Sequence, residues 1–111
     1  MILDLHKLHI FKVVAEQKHF TRAADLLHMA QPSVSQQISV LETALGIQLI
    51  DRSTRQFRLT EAGQILFHYA ERLTLLASEA QTAVQVQAGT MRETLKLGVG
   101  HTLATYLLPA V

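Results

Sequence analysis

The chain contains no cysteine, which removes disulfides, thiolate metal sites and cysteine nucleophiles together. That absence fits a reducing compartment, and the expected location is the cytoplasm. Net charge is nearly absent as well. Ten lysines and arginines stand against nine aspartates and glutamates, a formal charge of +1, so charge balance by itself is poor support for a nucleic-acid partner. Long apolar runs are lacking at the N-terminus, where MILDLHKLHIFKVV is interrupted by Asp4, Lys7 and Lys12. A secretory signal and a membrane span are excluded there, and no membrane partner is expected. Neither a glycine-rich phosphate loop nor a nucleophile elbow occurs. Six histidines are present, and His6 and His9 fall one helical turn apart. No third ligand or general base has suitable spacing. No catalytic residue, metal site or enzymatic activity is therefore expected.

What is present is organised around residues 20–46, FTRAADLLHMAQPSVSQQISVLETALG. Phe20, Ala23, Ala24 and Leu27 recur at i, i+3, i+4 and i+7, the apolar stripe of a helix, with Thr21 expected as its N-terminal cap. Pro32 has no N–H to donate and suits only the first turn of a new helix. The break is thus expected at residues 28–31. Val34, Ile38, Leu41 and Leu45 then recur at helical spacing, and Gly46 supplies a C-terminal stop. The other face of this second helix carries Pro32, Ser35, Gln36, Ser39 and Thr43, with Gln31 and Ser33 at its N-terminal end. It is uncharged but dense in hydrogen-bonding groups. An amide can bond adenine N6 and N7 together, and hydroxyls serve bases or phosphates. Two helices joined by a tight turn, the second with a polar face, form a helix-turn-helix pattern; a solvated helix face is the plainer alternative.

Upstream, Leu5, Leu8, Phe11 and Ala15 mark one face of a first helix that Ile10, Val13 and Val14 make apolar on other sides. It is expected to complete a trihelical core, with Phe20 and Leu27 meeting it. Downstream, Leu49 and Ile50 precede a polar segment, and Phe57 and Leu59 alternate with Arg58, which reads as a small hairpin. Its tip carries Arg52, Ser53, Thr54 and Arg55, and three arginines with no acid lie between residues 52 and 58. Guanidinium groups at such a wing can pair phosphates or enter a narrow minor groove.

Thr60 is expected to cap a long helix running to about Gln87, proline-free and with glycine only at Gly63. Ala62, Leu66, Tyr69, Leu73, Leu76, Ala80 and Ala83 alternate by four and three, a heptad seam. A seam of roughly 40 Å exceeds what a small trihelical domain covers, and a second copy of the same helix is its simplest partner. Residues 89–92 break the pattern. TLKLGVG at 94–100 reads as a strand entering a loop, and ATYLLPAV as the start of a helix. A lone strand and helix cannot bury their apolar sides, so a further domain is expected beyond residue 111.

The stretches FTRAADLLHMAQPSVSQQI, LETALG, DRSTR and LTEAGQ together resemble the N-terminal DNA-binding segment of the LysR-type bacterial transcriptional regulators. The resemblance extends over nearly the whole chain. It implies a mainly α fold: a winged helix-turn-helix at 1–60, a linker helix at 61–88 that dimerises antiparallel to its mate, and at 89–111 a hinge and the truncated start of an α/β effector domain. Dimerisation would run through Leu66, Tyr69, Leu73, Leu76, Ala80 and Ala83. Thr21 and Arg22 match positions near the DNA backbone, and Gln31, Pro32, Ser33, Ser35 and Gln36 match the reading helix. Arg55 matches the wing arginine that approaches the minor groove. Many members carry arginine where this chain has Gln36, so base preference under that helix does not transfer.

The expected function is sequence-specific binding of double-stranded DNA by a homodimer at a two-fold symmetric site, with a tetramer open for the intact protein. Ser39, Arg52 and Thr54 complete the expected DNA-binding set. A helical dimerisation module without specific DNA binding is the alternative. No cofactor is expected in this fragment. A small-molecule inducer is expected for the intact protein, with His101 and Thr102 matching a loop of its cleft.

Overall fold

The computed structural model describes residues 3–97, with side chains described for residues 3–89. Four helices follow in order: α1 Leu5–Gln17, α2 Phe20–Leu27, α3 Gln31–Leu45 and α4 Glu61–Leu97. The chain divides into two units, Met1–Glu71 and Arg72–Val111.

In the first unit the helices end where their sequences stop supplying helical partners. The Asp4 carboxylate opens α1 by accepting from His6 N at 2.8 Å and Lys7 N at 3.3 Å, which satisfies amide donors that have no intrahelical acceptor. Lys18 closes α1 in the left-handed region, φ 54°, and His28 closes α2 likewise, φ 56°. Gly46 closes α3 at φ 73°, and its amide returns to Glu42 O at 2.8 Å. Glycine suits that conformation because no Cβ crowds the carbonyl. Pro32 lies in the first turn of α3, as its missing donor requires.

Two local expectations are corrected. Thr21 is not the cap of α2. His19 is, its Nδ1 accepting from Arg22 N at 3.2 Å, so the helix begins two residues earlier than a Thr21 cap would place it. Leu5, placed on the buried face of α1, is 58% exposed, because the first turn of that helix extends beyond the core that Leu8 and Phe11 enter.

The core is otherwise the expected one. Ile10, Phe11 and Val14 of α1, Ala23 and Ala24 of α2, and Val34, Ile38 and Leu41 of α3 are all buried. Full burial of a large aliphatic or aromatic side chain contributes about 1.5–3 kcal/mol, so these few side chains set the mutual placement of three short helices. Phe20 and Leu27 pack against that cluster at its edge.

Beyond α3 the expected hairpin is reduced to one antiparallel bridge, Ile50 with Leu59, flanked by Asp51 N to Arg58 O at 2.8 Å and Thr60 N to Leu49 O at 3.0 Å. Between these arms, side chains take over the backbone. Asp51 Oδ1 accepts from Ser53 N at 2.9 Å and Ser53 Oγ at 2.5 Å, and the Thr54 hydroxyl donates to Gln56 O at 2.9 Å. Such local bonds compete with ladder pairing and end the strands early. The result is a short-armed wing.

Thr60 caps α4 as expected, its hydroxyl accepting from Gly63 N at 3.0 Å. Within the first turns of α4, Ala70 is buried and Ala62, Leu66 and Phe67 pack on the core. That packing carries the first unit to Glu71, beyond the expected boundary at residue 60. It also packs the half-buried Leu66 against the core of its own domain, at a position expected in the dimer seam. Further along, Leu73 is 41% and Leu76 61% exposed.

The helix continues through Leu97, past the expected end at residue 88 and across the segment expected as a hinge and the beginning of a strand. No proline interrupts it, Gly89 has open space around it, and Met91, Arg92, Glu93, Leu95 and Lys96 are strong helix formers. The remainder of the expected strand and helix, at 98–111, lies outside the described residues.

Candidate nucleic-acid interface

The two faces of α3 divide cleanly. Val34, Ile38 and Leu41 are buried, while Gln31, Pro32, Ser33, Gln36 and Ser39 are exposed and Ser35 is half-buried. One helix therefore spends its apolar stripe on the core and turns a row of amides and hydroxyls outward. Thr43, on the same row, bonds back to its own helix, its hydroxyl donating to Ser39 O at 2.9 Å.

The turn brings two of the expected site residues together. The Thr21 hydroxyl donates to Gln31 Oε1 at 3.3 Å, joining the start of α2 to the start of α3. A neutral amide whose oxygen is occupied presents its NH2 donors, which suit phosphate oxygens and the acceptor edges of guanine and thymine. Arg22 is exposed in the first turn of α2, where free amides and the helix dipole favour an anion.

At the wing, Lys18, His19, Phe20, Arg52, Thr54 and Arg55 line an open cavity of about 380 Å³. Its walls come from the α1–α2 turn and the wing, and they carry three cationic side chains beside the Asp51 carboxylate. The Phe20 and Phe57 rings meet edge to face with centroids 6.1 Å apart. This contact ties the wing to α2, and neither ring's partner was evident from spacing. Thr54 and Arg55 are exposed at the tip.

Arg52 departs from the free tip position expected of it. Its Nη1 lies 3.0 Å from Glu42 Oε1 and 3.2 Å from Oε2, so the guanidinium is tied to α3. Glu42 is itself the residue that helical spacing missed. It is 8% exposed, and its Oε2 accepts from Leu49 N at 2.7 Å and Ile50 N at 3.2 Å. The available signal was a lone acid in the last turn of α3, where a carboxylate opposes the helix dipole. At the wing's first arm, the Asp51 carboxyl is held below its usual range by the Ser53 hydroxyl first and then the Ser53 amide.

Among the described residues no group of three or more His, Cys, Asp or Glu side chains gathers to hold a metal ion. None of the described helices is long and apolar enough to cross a membrane.

The model of a family described as bacterial regulatory helix-turn-helix protein, lysR family, matches residues 5–64. Among curated proteins, those named probable RuBisCO transcriptional regulator are similar to the chain. The one from Thalassiosira pseudonana is 42% identical over 107 residues, 96% of this chain and 35% of that protein. The one from Synechocystis is 41% identical over 105 residues, 95% of this chain and 30% of that protein. The chain thus spans about a third of the length of the curated relatives it matches. Among solved structures, the BenM DNA-binding domain in complex with catB site 1 DNA superposes with a TM-score of 0.73 at 37% identity, covering 78% of this chain and 97% of that one. The CbnR DNA-binding domain bound to DNA gives 0.69 at 34% identity, covering 78% and 99%. With residues 5–64 matched and the helices, turn and wing in place, the chain belongs to the lysR family of bacterial regulatory helix-turn-helix proteins.

Proposed function

We propose that the chain is the DNA-reading and dimerising part of a LysR-type transcriptional regulator. On this reading it binds a two-fold symmetric promoter site as a homodimer, with α3 in the major groove and the wing at the neighbouring minor groove. The observation that carries this is the outward row of Gln31, Pro32, Ser33, Gln36 and Ser39 on a helix whose opposite face is buried. No contact within the described fold uses the Gln36 amide, and its size and donor–acceptor pair suit a base edge. The structural neighbours solved in complex with DNA support a DNA-binding reading of this chain.

In this assignment Thr21 and Arg22 approach the backbone, Gln31, Ser33, Ser35, Gln36 and Ser39 the major groove, and Thr54 and Arg55 the minor groove. Arg52 acts through its ion pair with Glu42 and contacts DNA only secondarily. Tyr69, Leu73, Leu76, Ala80 and Ala83 of α4 form the seam against a second copy, and Leu66 is withdrawn from it. The protein acts by binding, without enzymatic activity, in the cytoplasm. A small-molecule inducer acts on the intact regulator, and residues 1–111 by themselves bind none.

Selection of bound duplexes from a random pool at near-physiological salt, followed by sequencing, tests the proposal. Enrichment of a two-fold symmetric motif is expected, with half-sites spaced by about one helical turn or a multiple of it. A folded, dimeric protein that enriches nothing would leave only a helical dimerisation module.

A further inference from the structure

Glu42 is a carboxylate in a place that costs stability twice. It lies in the last turn of α3, against the helix dipole, and it is almost fully buried, where an ionised carboxylate is poorly solvated. Its donors explain how it is tolerated. Oε2 takes the amides of Leu49 and Ile50 at 2.7 and 3.2 Å, and Arg52 Nη1 closes on both oxygens at 3.0 and 3.2 Å. These donors are not scattered. Leu49 and Ile50 are where the first arm of the wing begins, Ile50 forms its single bridge with Leu59, and Arg52 follows directly. The short arms offer little pairing of their own to fix the wing's height.

We infer that Glu42 is a positioning residue for the wing: its carboxylate, carried on the reading helix, fixes the wing's root so that Arg55 is presented at a set distance from Gln36. The other ties run elsewhere, Phe57 to Phe20 of α2 and the Thr60 hydroxyl to Gln48 O at 2.6 Å. The Leu49 and Ile50 side chains share the core with α3, and among the described residues Glu42 adds the directional tie, side-chain hydrogen bonds from the reading helix to the wing root. It touches no DNA itself. The inference rests on the proposed DNA reading and adds a division of labour within it: two grooves are read as one unit because a buried carboxylate holds their readers together.

The test is a set of double-mutant cycles on a duplex recovered from the selection, with dissociation constants taken over a range of salt. Arg55→Ala is expected to weaken wild-type binding roughly tenfold but the Glu42→Gln protein less than about twofold. Gln36→Ala is expected to cost the same factor in both backgrounds. The salt slope of Glu42→Gln should fall toward that of Arg55→Ala. A general loss of packing would shrink the Gln36 effect together with the Arg55 effect, and that result overturns the inference. So does an equal Arg55→Ala loss in both backgrounds. Should Glu42→Gln not fold, Arg52→Gln removes the same ion pair from its exposed side and the cycles are read on it, with Arg52→Lys expected to restore the Arg55 effect. Wild-type protein that binds no duplex overturns the DNA reading, whereas wild-type binding with additive cycles overturns the role of Glu42 alone.

Discussion

Gly63 of α4 packs directly beneath the carbonyl oxygen of Leu49, so closely that a Cβ on Gly63 would overlap it. The helix start and the root of the wing can approach this far only because one of them has no side chain. The contact also explains why the single glycine in the first turns of α4 is tolerated.

In an ordinary helix, glycine to alanine stabilises by up to about 1 kcal/mol. Here the sign should reverse. Gly63→Ala is expected to destabilise by about 1–3 kcal/mol, because the obstructing atom is backbone and cannot rotate away. Urea unfolding measures it, and a variant as stable as the parent would mean that α4 and the wing root separate at little cost.

Gln36→Ala should weaken the selected site by about 1–3 kcal/mol while leaving scrambled DNA nearly unchanged. Comparing the two duplexes by fluorescence anisotropy separates base reading from backbone attraction. Equal losses on both would remove Gln36 from the base-reading set.

Arg55→Ala should act differently, weakening binding to every sequence and lowering the slope of log K against log salt by about 0.9, the value for one phosphate neutralised. A slope identical to that of the parent would put the wing tip away from the backbone.

On α4, Leu73 and Leu76 are exposed on the expected seam. Placing lysine at both, Leu73→Lys with Leu76→Lys, should raise the dimer dissociation constant at least tenfold, about 1.4 kcal/mol, as read by sedimentation. Leu66→Ala should instead lower monomer stability, since that side chain packs on the core. Exchange of these two outcomes would reverse the assignment of the two positions.

The wing carries a pH signature. Asp51 is held below the usual carboxylate range by the Ser53 hydroxyl first and the Ser53 amide second. Because the folded value is depressed, this contribution to stability is present above the unfolded value and is lost as pH falls through the folded one. Ser53→Ala should move the Asp51 midpoint upward, toward the ordinary value, in a carboxyl-detected NMR titration. A midpoint that stays in place would assign the depression to the amide alone.

Much of this was legible along the chain. The spacing of Val34, Ile38 and Leu41 revealed which side of α3 is buried, and so which side is left exposed. Pro32 and Gly46 marked the ends of that helix, and Thr60 the start of the next. The His19 cap was missed because histidine is an uncommon cap, and Thr21 beside it has the commoner chemistry. The end of α4 was misplaced because alternation in TLKLGVG resembles a strand, whereas an established helix is propagated by each added hydrogen bond at little further cost.

The sequence by itself determined the helices, their turn, the buried and polar faces of α3, and the family. The helices and faces rest on spacings within one or two turns, where covalent geometry dictates which side chains share a face; the family rests on the resemblance of whole stretches such as FTRAADLLHMAQPSVSQQI and LTEAGQ. Tertiary structure decided what depends on residues distant in the chain. It chose Glu42 as the anchor of the wing root and gave Arg52 its partner. It set Phe57 against Phe20, and it assigned Leu66 to the core while Leu73 and Leu76 stayed exposed. A heptad repeat states that a stripe will be buried, but not against what. That choice is made when separate elements compete for the same apolar surface.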